Sequence, residues 1–150
     1  MFEKEKILPI SCDHGGFEMK EILKEKLTIE GYNVKDFGTF YEDSVDYPDF
    51  IHPLANSINK DEYELGIIIC GSGNGAQMTA NKYSNVRACL CWSVEQAQLT
   101  RQHNNANILS LPGRFVGFDL AMDITITFLT TNFEGGRHQN RVDKISKIIK

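Results

Sequence analysis

The chain has 150 residues, of which 41% are hydrophobic and 24% are charged, and its net charge is −4 at pH 7. This length and composition predict one soluble domain, residues 1–150, with its own hydrophobic core. The acidic balance argues against a nucleic-acid partner, while the lack of a long apolar stretch or signal-peptide core argues against a membrane partner and predicts a cytoplasmic protein.

Strands and helices are predicted to alternate along the chain. In chain order the elements are a strand at 6–12, a helix at 17–30, a strand at 33–37, a helix at 51–58, a strand at 65–70, a helix at 76–83, a strand at 86–91, a helix at 93–102, a strand at 107–111, a helix at 120–128 and a final amphipathic helix through Val142, Ile145, Ile148 and Ile149. Such alternation predicts a single Rossmann-like α/β domain of three layers, in which helices cover both faces of a five-stranded parallel sheet.

Two of these predicted helices contain conflicting signals. Residues 120–128 alternate like a strand, but their length and their place in the running order favour a helix with Leu120, Ala121, Ile124 and Phe128 facing inward. In the helix at 51–58, Pro53 would disturb the hydrogen bonding unless it lies in the first turn.

The stretch from Leu65 to Ala76 is the centre of the functional interpretation. Three successive isoleucines predict a strand buried on both faces. It ends at Cys70 and opens into a loop with glycine at every second position before a helix begins. Bare backbone N–H groups beside a helix start form a cradle for an anion, and they also favour a reactive thiol at the strand tip.

The four cysteines are Cys12, Cys70, Cys89 and Cys91, and none has C-x-x-C spacing. A disulfide framework or a zinc site is therefore not expected. The pattern Gly71-x-Gly73-x-x-Ala76, with Glu95 about twenty residues further on, also fits a dinucleotide-binding site. Against that alternative, the glycines follow the third strand rather than the first, and a cysteine precedes them.

Polar residues follow four predicted strands, at Asp13-His14, Gly38-Thr39, Cys70-Gly71-Ser72 and Pro112-Gly113-Arg114. The carboxyl ends of parallel strands lie at one edge of the sheet, where sites of this fold class form. His103 instead closes a helix that leads into the fifth strand, so it is predicted at the opposite edge. If His103 is catalytic, it most easily reaches a site in another subunit.

The first 86 residues contain no arginine, whereas Arg87, Arg101, Arg114, Arg137 and Arg141 follow. Guanidinium groups bind phosphate through paired hydrogen bonds, so the later arginines indicate an anionic ligand. A thiol, backbone donors, histidines and a phosphate grip are the parts needed to abstract a proton beside a carbonyl group. That chemistry needs neither a metal ion nor a redox cofactor, and the sequence offers no evident site for either.

The five motifs that carry a family resemblance are Cys12-Asp13-His14-Gly15-Gly16-Phe17, Asp46-Tyr47-Pro48, Ile69-Cys70-Gly71-Ser72-Gly73, Arg101-Gln102-His103-Asn104 and Glu134-Gly135-Gly136-Arg137-His138. In this order they resemble the type B ribose-5-phosphate isomerases over nearly the whole chain. The resemblance implies an aldose–ketose isomerase of the pentose phosphate pathway that interconverts ribose 5-phosphate and ribulose 5-phosphate without a cofactor. It also implies a homodimer or tetramer whose active sites are shared between subunits.

Residue roles follow from the same resemblance. Cys70 would be the base that moves the proton between C1 and C2, and His103 would act in opening the furanose ring. Ser72 would hold the enediolate as a further catalytic residue. The substrate-binding residues would be Asp13 and Tyr47 for the sugar oxygens, Gly71, Gly73, Asn74 and Gly75 for the enediolate, His14, Arg114, Arg137 and Arg141 for the phosphate, and Asn104.

The sequence departs from the family pattern at two places. Ala76 stands where one branch of the family has a glutamate base, and its methyl group accepts no proton, which favours Cys70 as the base. Residues 92–95 differ from the pattern expected after the fourth strand, which puts the shape of the sugar pocket in question. Allose 6-phosphate and galactose 6-phosphate therefore remain alternative substrates.

Overall fold

The computed structural model describes residues 1–147, so Ile148 and Ile149 of the predicted final helix lie outside the described residues. The elements are β1 (Ile7–Cys12), a 3₁₀ turn (His14–Gly16), α1 (Phe17–Ile29), β2 (Asn33–Asp36), α2 (Tyr47–Asn59), β3 (Gly66–Cys70), α3 (Asn74–Ala80), β4 (Ala88–Leu90), α4 (Val94–Asn104), β5 (Ile108–Pro112), α5 (Phe118–Thr130) and α6 (Arg137–Ile145). All strand pairs are parallel, in the order β2-β1-β3-β5-β4. The predicted α/β fold is confirmed.

The central strand β3 separates two apolar cores. Ile67 and Ile69 pack with α1 and α5 residues such as Leu23 and Phe128 on one face. Ile68 and Cys70 pack with the other core, which contains residues of α2 and α3. Because side chains alternate across a strand, an isoleucine run is what a strand covered on both faces requires. Cys70 therefore lies at the carboxyl end of a central strand that is covered by an apolar core on each face.

Several helices differ from their predicted form. Residues 118–130 form helix α5 as predicted, but Leu120 is 39% exposed instead of buried, while Ala121, Ile124 and Phe128 do face the core. Helix α2 begins at Tyr47, which places Pro53 inside the helix rather than in its first turn. Pro53 lies on the exposed face of that helix, so the buried stripe remains continuous.

Helix α3 begins at Asn74 and ends at Ala80, earlier than the predicted 76–83. The glycine loop is therefore shorter than expected, since its last two residues already belong to the helix. Among residues 1–147, none of the helices is both long and apolar enough to cross a bilayer.

Candidate active site

Cys70 lies at the end of β3 with its thiol directed at the following loop. The Gly73 N–H donates a hydrogen bond to Sγ at 3.2 Å, and only 4% of the residue is exposed. The neighbouring strand β5 continues beside it, since the Gly113 N–H donates to the Cys70 carbonyl at 2.9 Å. The sulfur therefore has a defined position at the carboxyl edge of the sheet.

The loop after Cys70 is held by glycine at its tightest point. Gly73 has φ of +77°, and a Cβ there would lie 2.3 Å from Cδ1 of Leu90. The Gly73 carbonyl accepts a hydrogen bond from the buried Ser110 hydroxyl at 2.8 Å. Ser72 lies at the surface, where its Oγ accepts from the Asn74 N–H at 3.4 Å. The hydrogen bond from Ser110 thus ties the loop to β5, while the Ser72 side chain remains exposed to solvent.

The segment after β1 packs directly against this loop. A Cβ on Gly15 would lie 3.0 Å from the backbone nitrogen of Gly71, so the backbones of the two loops pack tightly against each other at this glycine. The Asp13 carboxylate accepts a hydrogen bond from the Gly16 N–H at 3.1 Å. Burial raises the pKa of Asp13, although His14, the nearby backbone N–H groups and Arg114 oppose that rise.

The imidazole of His14 is held in one tautomer by the loop before α2. The Val45 N–H donates to Nδ1 at 3.1 Å. The Val45 carbonyl also lies 3.2 Å from Nδ1, but the backbone fixes the direction of the N–H, so Nδ1 is the acceptor. The ring proton is then on Nε2, which leaves a donor for an anion.

Tyr47 and Arg114 lie over the glycine loop from two sides. A Cβ on Gly75 would meet Cζ of the Tyr47 ring at 2.7 Å, and a Cβ on Gly71 would meet Cδ and Nε of Arg114 at 3.4 and 3.5 Å. The Arg114 N–H also donates to the Gly71 carbonyl at 3.0 Å. The loop cluster, as we name it, consists of Asp13, His14, Tyr47, Cys70, Gly71, Ser72, Gly73, Asn74, Gly75 and Arg114.

The other predicted site residues gather elsewhere, at the end of α4 and the start of α6. The rings of His103 and His138 stack with centroids 4.3 Å apart and an interplanar angle of 6°. Oε2 of Glu134 lies 3.9 Å from Nε2 of His103 and 3.7 Å from Nε2 of His138. Asn104 and Arg141 line a cavity of about 320 Å³ with both histidines. The histidine cluster, in our terms, consists of His103, Asn104, Glu134, Arg137, His138 and Arg141.

Positive charge surrounds His138. Burial lowers its pKa, and His103, Arg137 and Arg141 lower it further, whereas Glu134 opposes them. The two arginines beside His138 make the cluster suited to an anionic ligand.

The ligand atoms of His103, Glu134 and His138 also lie within 4.8 Å of one another, which is close enough for one metal ion to be considered. An imidazole binds a metal ion in the plane of its ring. Because the two ring planes here are parallel and stacked, one ion cannot lie in both planes. As they stand, the side chains do not form a metal site.

Within residues 1–147, no hydrogen bond or ion pair joins the loop cluster to the histidine cluster. His103 contacts His138 and Glu134 rather than Cys70. Glu134 and His138 were not among the site residues predicted from the sequence. Their i, i+4 spacing inside the last motif was the signal that could have identified them.

Comparison with known proteins gives one consistent family. The family model described as Ribose/Galactose Isomerase matches residues 8–145. The chain is 40% identical over 143 residues to ribose-5-phosphate isomerase B of Escherichia coli, which covers 95% of this chain and 96% of the relative.

Two solved structures are similar over almost their whole length. A ribose 5-phosphate isomerase from Thermotoga maritima superposes with a TM-score of 0.94 at 46% identity, covering 96% of this chain and 99% of the other. Ribose-5-phosphate isomerase B from Mycoplasma genitalium with bound ribulose-5-phosphate gives a TM-score of 0.91 at 44% identity, covering 96% of each chain.

Proposed function

The chain belongs to the ribose/galactose isomerase family, and on this premise we propose that it is an aldose–ketose isomerase that interconverts ribose 5-phosphate and ribulose 5-phosphate. The relative with bound ribulose-5-phosphate supports a sugar phosphate as substrate. The reaction moves a proton between C1 and C2 through an enediolate. It therefore needs a base beside the carbon acid and hydrogen-bond donors for the two enediolate oxygens.

The observation that carries the proposal is the position of Cys70 against the glycine loop. Its sulfur lies 3.2 Å from the Gly73 nitrogen, under a loop bordered by Tyr47 and Arg114. A sugar bound over this loop brings its C1 and C2 protons to the sulfur. Cys70 accepts the proton from one carbon and returns it to the other, while Ser72 and the backbone N–H groups of residues 71–75 stabilise the enediolate oxygens.

The substrate's phosphate group is bound by cationic and neutral donors from both clusters. His14 supplies its Nε2 proton and Arg114 its guanidinium, and Arg137 and Arg141 complete the phosphate site. Asp13 and Tyr47 bind sugar hydroxyls, with Asn104 as a further contact. His103 transfers the proton that opens the furanose ring before the base can act.

We infer that the active site forms between two copies of the chain, in a homodimer or a tetramer built from such dimers. In the described part of the chain, residues 1–147, no hydrogen bond or ion pair links the loop cluster to the histidine cluster, which supports this arrangement. Exposed apolar side chains next to the loop cluster support it as well. Trp92, Phe115 and Leu120 line a cavity of about 410 Å³ together with Ser72 and Asn74, and apolar surface of this kind is typical of an interface.

The test is a kinetic comparison of Cys70→Ala with the parent enzyme on ribose 5-phosphate, after treatment with a chelator and with no cofactor added. Loss of the base should lower kcat by about 10²- to 10⁴-fold while KM changes little. Cys89→Ala is the matched control, because it removes a half-buried thiol from β4 without touching the loop.

Normal turnover by Cys70→Ala would reject Cys70 as the base. If the parent enzyme turns over only allose 6-phosphate or galactose 6-phosphate, that hexose phosphate replaces ribose 5-phosphate as the proposed substrate. A dependence on NAD would reject the cofactor-free mechanism.

A further inference from the structure

Arg101 is a buried arginine in the last turn of α4, two residues before His103. Only 8% of it is exposed. Its hydrogen bonds within the described chain all go to neutral oxygens. Burial lowers the pKa of its guanidinium, and Arg87 lowers it further while Glu64 opposes this. A buried cation without a direct carboxylate partner is costly, so its retention calls for a specific role.

The guanidinium joins the ends of two helices. Nη1 donates to the carbonyl of Ala106 and, at 3.3 Å, to Oδ1 of Asn105, just beyond α4. Nε donates to the carbonyl of Thr131 at 3.2 Å, just beyond α5. The group also lies 5.4 Å from the centroid of the Phe128 ring. These acceptors lie around one planar group, whose donors have fixed directions.

The segment that Arg101 binds leads directly into α6, which carries the Arg137, His138 and Arg141 side chains of the histidine cluster. Residues 131–136 connect α5 to α6 and contain Glu134, whose N–H donates to the carbonyl of Gln102 at 3.1 Å. The last turn of α4 is therefore bonded to this segment through Arg101 and Gln102, the two residues before His103. The stacking of His103 on His138 depends on the relative position of these two segments.

We propose that Arg101 is a positioning residue, which sets the place of the His103 ring relative to His138 and the arginines of α6. The proposal rests on the proposed function, in which His103 opens the sugar ring. Arg101 does not touch the substrate, and its effect on catalysis passes through His103. Lysine cannot replace it, because a single ammonium group cannot bond the carbonyls of Ala106 and Thr131 in the same plane.

Comparing ribose 5-phosphate with ribulose 5-phosphate distinguishes a positioning role of Arg101 from a purely structural one. Ribose 5-phosphate closes to a furanose, so its turnover requires ring opening. Ribulose 5-phosphate carries its phosphate on the C5 oxygen that would close the ring, so it stays open. Exchange of its C1 proton with deuterium from the solvent requires the base alone. We therefore compare turnover of ribose 5-phosphate with C1 exchange in recovered ribulose 5-phosphate, using Arg101→Lys and Arg101→Met.

If Arg101 positions His103, turnover of ribose 5-phosphate should fall by about ten- to a hundredfold in both variants, while C1 exchange stays near the parent rate. The matched control is Arg87→Met. Arg87 also donates to a carbonyl in the turn after α4, that of Asn105 at 2.7 Å, but makes no bond to residues 131–136. Its ratio of exchange to turnover should not change.

Equal loss of both rates, or no loss of either, would overturn the proposal. If Arg101→Met does not fold, as judged by its melting transition, the milder Arg101→Lys decides. A parent enzyme that does not turn over ribose 5-phosphate would refute the proposed function. An unchanged ratio in an otherwise active enzyme would refute only the role of Arg101.

Discussion

Gly73 is the single residue whose replacement should most damage the loop cluster. Its φ of +77° is unfavourable for any residue with a Cβ, and that Cβ would lie 2.3 Å from Cδ1 of Leu90. We expect Gly73→Ala to lower the free energy of unfolding by about 2–4 kcal/mol, from backbone strain and overpacking together. Activity should fall with it, because the Gly73 N–H bonded to Cys70 must shift. Urea denaturation and turnover of ribose 5-phosphate measure the two effects.

Gly117→Ala is the control for that substitution. A Cβ on Gly117 meets no atom within 4 Å, and its φ is −75°. Its stability should change by less than about 1 kcal/mol in either direction. A Gly73→Ala protein as stable and as active as Gly117→Ala would show that the loop geometry is not what holds the thiol.

For single residues, the motifs gave candidate site residues but not their contacts. They singled out Cys70, the loop glycines and the arginines, whose catalytic and binding roles stay predictions. The tautomer of His14 depends on the backbone of Val45, 31 residues away, and no local pattern encodes such an approach. The approach of Glu134 to His103 was missed for the same reason, because it depends on how the segment before α6 packs against α4.

At the level of elements, α1 and β2 are joined by a buried ion pair that periodicity did not reveal. The side chain of Lys20 is fully buried, and its Nζ lies 2.5 Å from Oδ2 of Asp36, which also accepts from Lys24 at 2.7 Å. Asp36 in turn accepts from the Gly38 N–H at 2.8 Å through its other oxygen. The pair thereby fixes the turn that leads from β2 toward the loop beside His14.

Replacing Asp36 by asparagine should destabilise the fold in a pH-dependent way. Burial alone would raise the pKa of Asp36, but the hydrogen bonds from Lys20 and Lys24 outweigh it and hold that pKa below its ordinary 3.8. The ionised carboxylate therefore stabilises the fold above that ordinary value, and this contribution is lost as the pH falls through the lower folded-state value. At pH 7, Asp36→Asn should cost about 3 kcal/mol, since Glu21 is then the one carboxylate within residues 1–147 that still pairs with the buried Lys20.

Urea unfolding at neutral pH and near pH 3 measures this effect. The difference between the parent and Asp36→Asn should shrink on acidification. Asp119→Asn is the control, because its exposed pair with Lys26 should contribute little at either pH. A difference that stays constant with pH would mean that packing, not charge, accounts for the loss.

The order and type of the elements were largely predictable, because the α/β alternation gives strong periodic signals. The residues at which the elements begin and end were less predictable. Helix α3 starts at Asn74 because the left-handed Gly73 ends the loop there, and Leu120 lines a surface cavity instead of the core. Both depend on tertiary packing, which hydrophobic periodicity does not report.

At the scale of the whole molecule, the separation of the two clusters gives a prediction about pairs of subunits. Cys70→Ala damages only the loop cluster, and His103→Ala damages only the histidine cluster. If each active site takes one cluster from each copy, a dimer of the two variants contains one site with both residues intact and one with neither. Random mixing makes half of the dimers mixed, so about a quarter of the parent activity should return.

The experiment unfolds and refolds the two inactive variants together in equal amounts and compares turnover with that of each variant refolded alone. Recovery requires that Cys70 of one copy work with His103 of another, since no chain in the mixture carries both residues. If both clusters of one chain served the same site, every site in every dimer would lack one residue and the mixture would stay inactive. Recovery therefore measures directly whether the gap between the clusters is closed by a second copy of the chain.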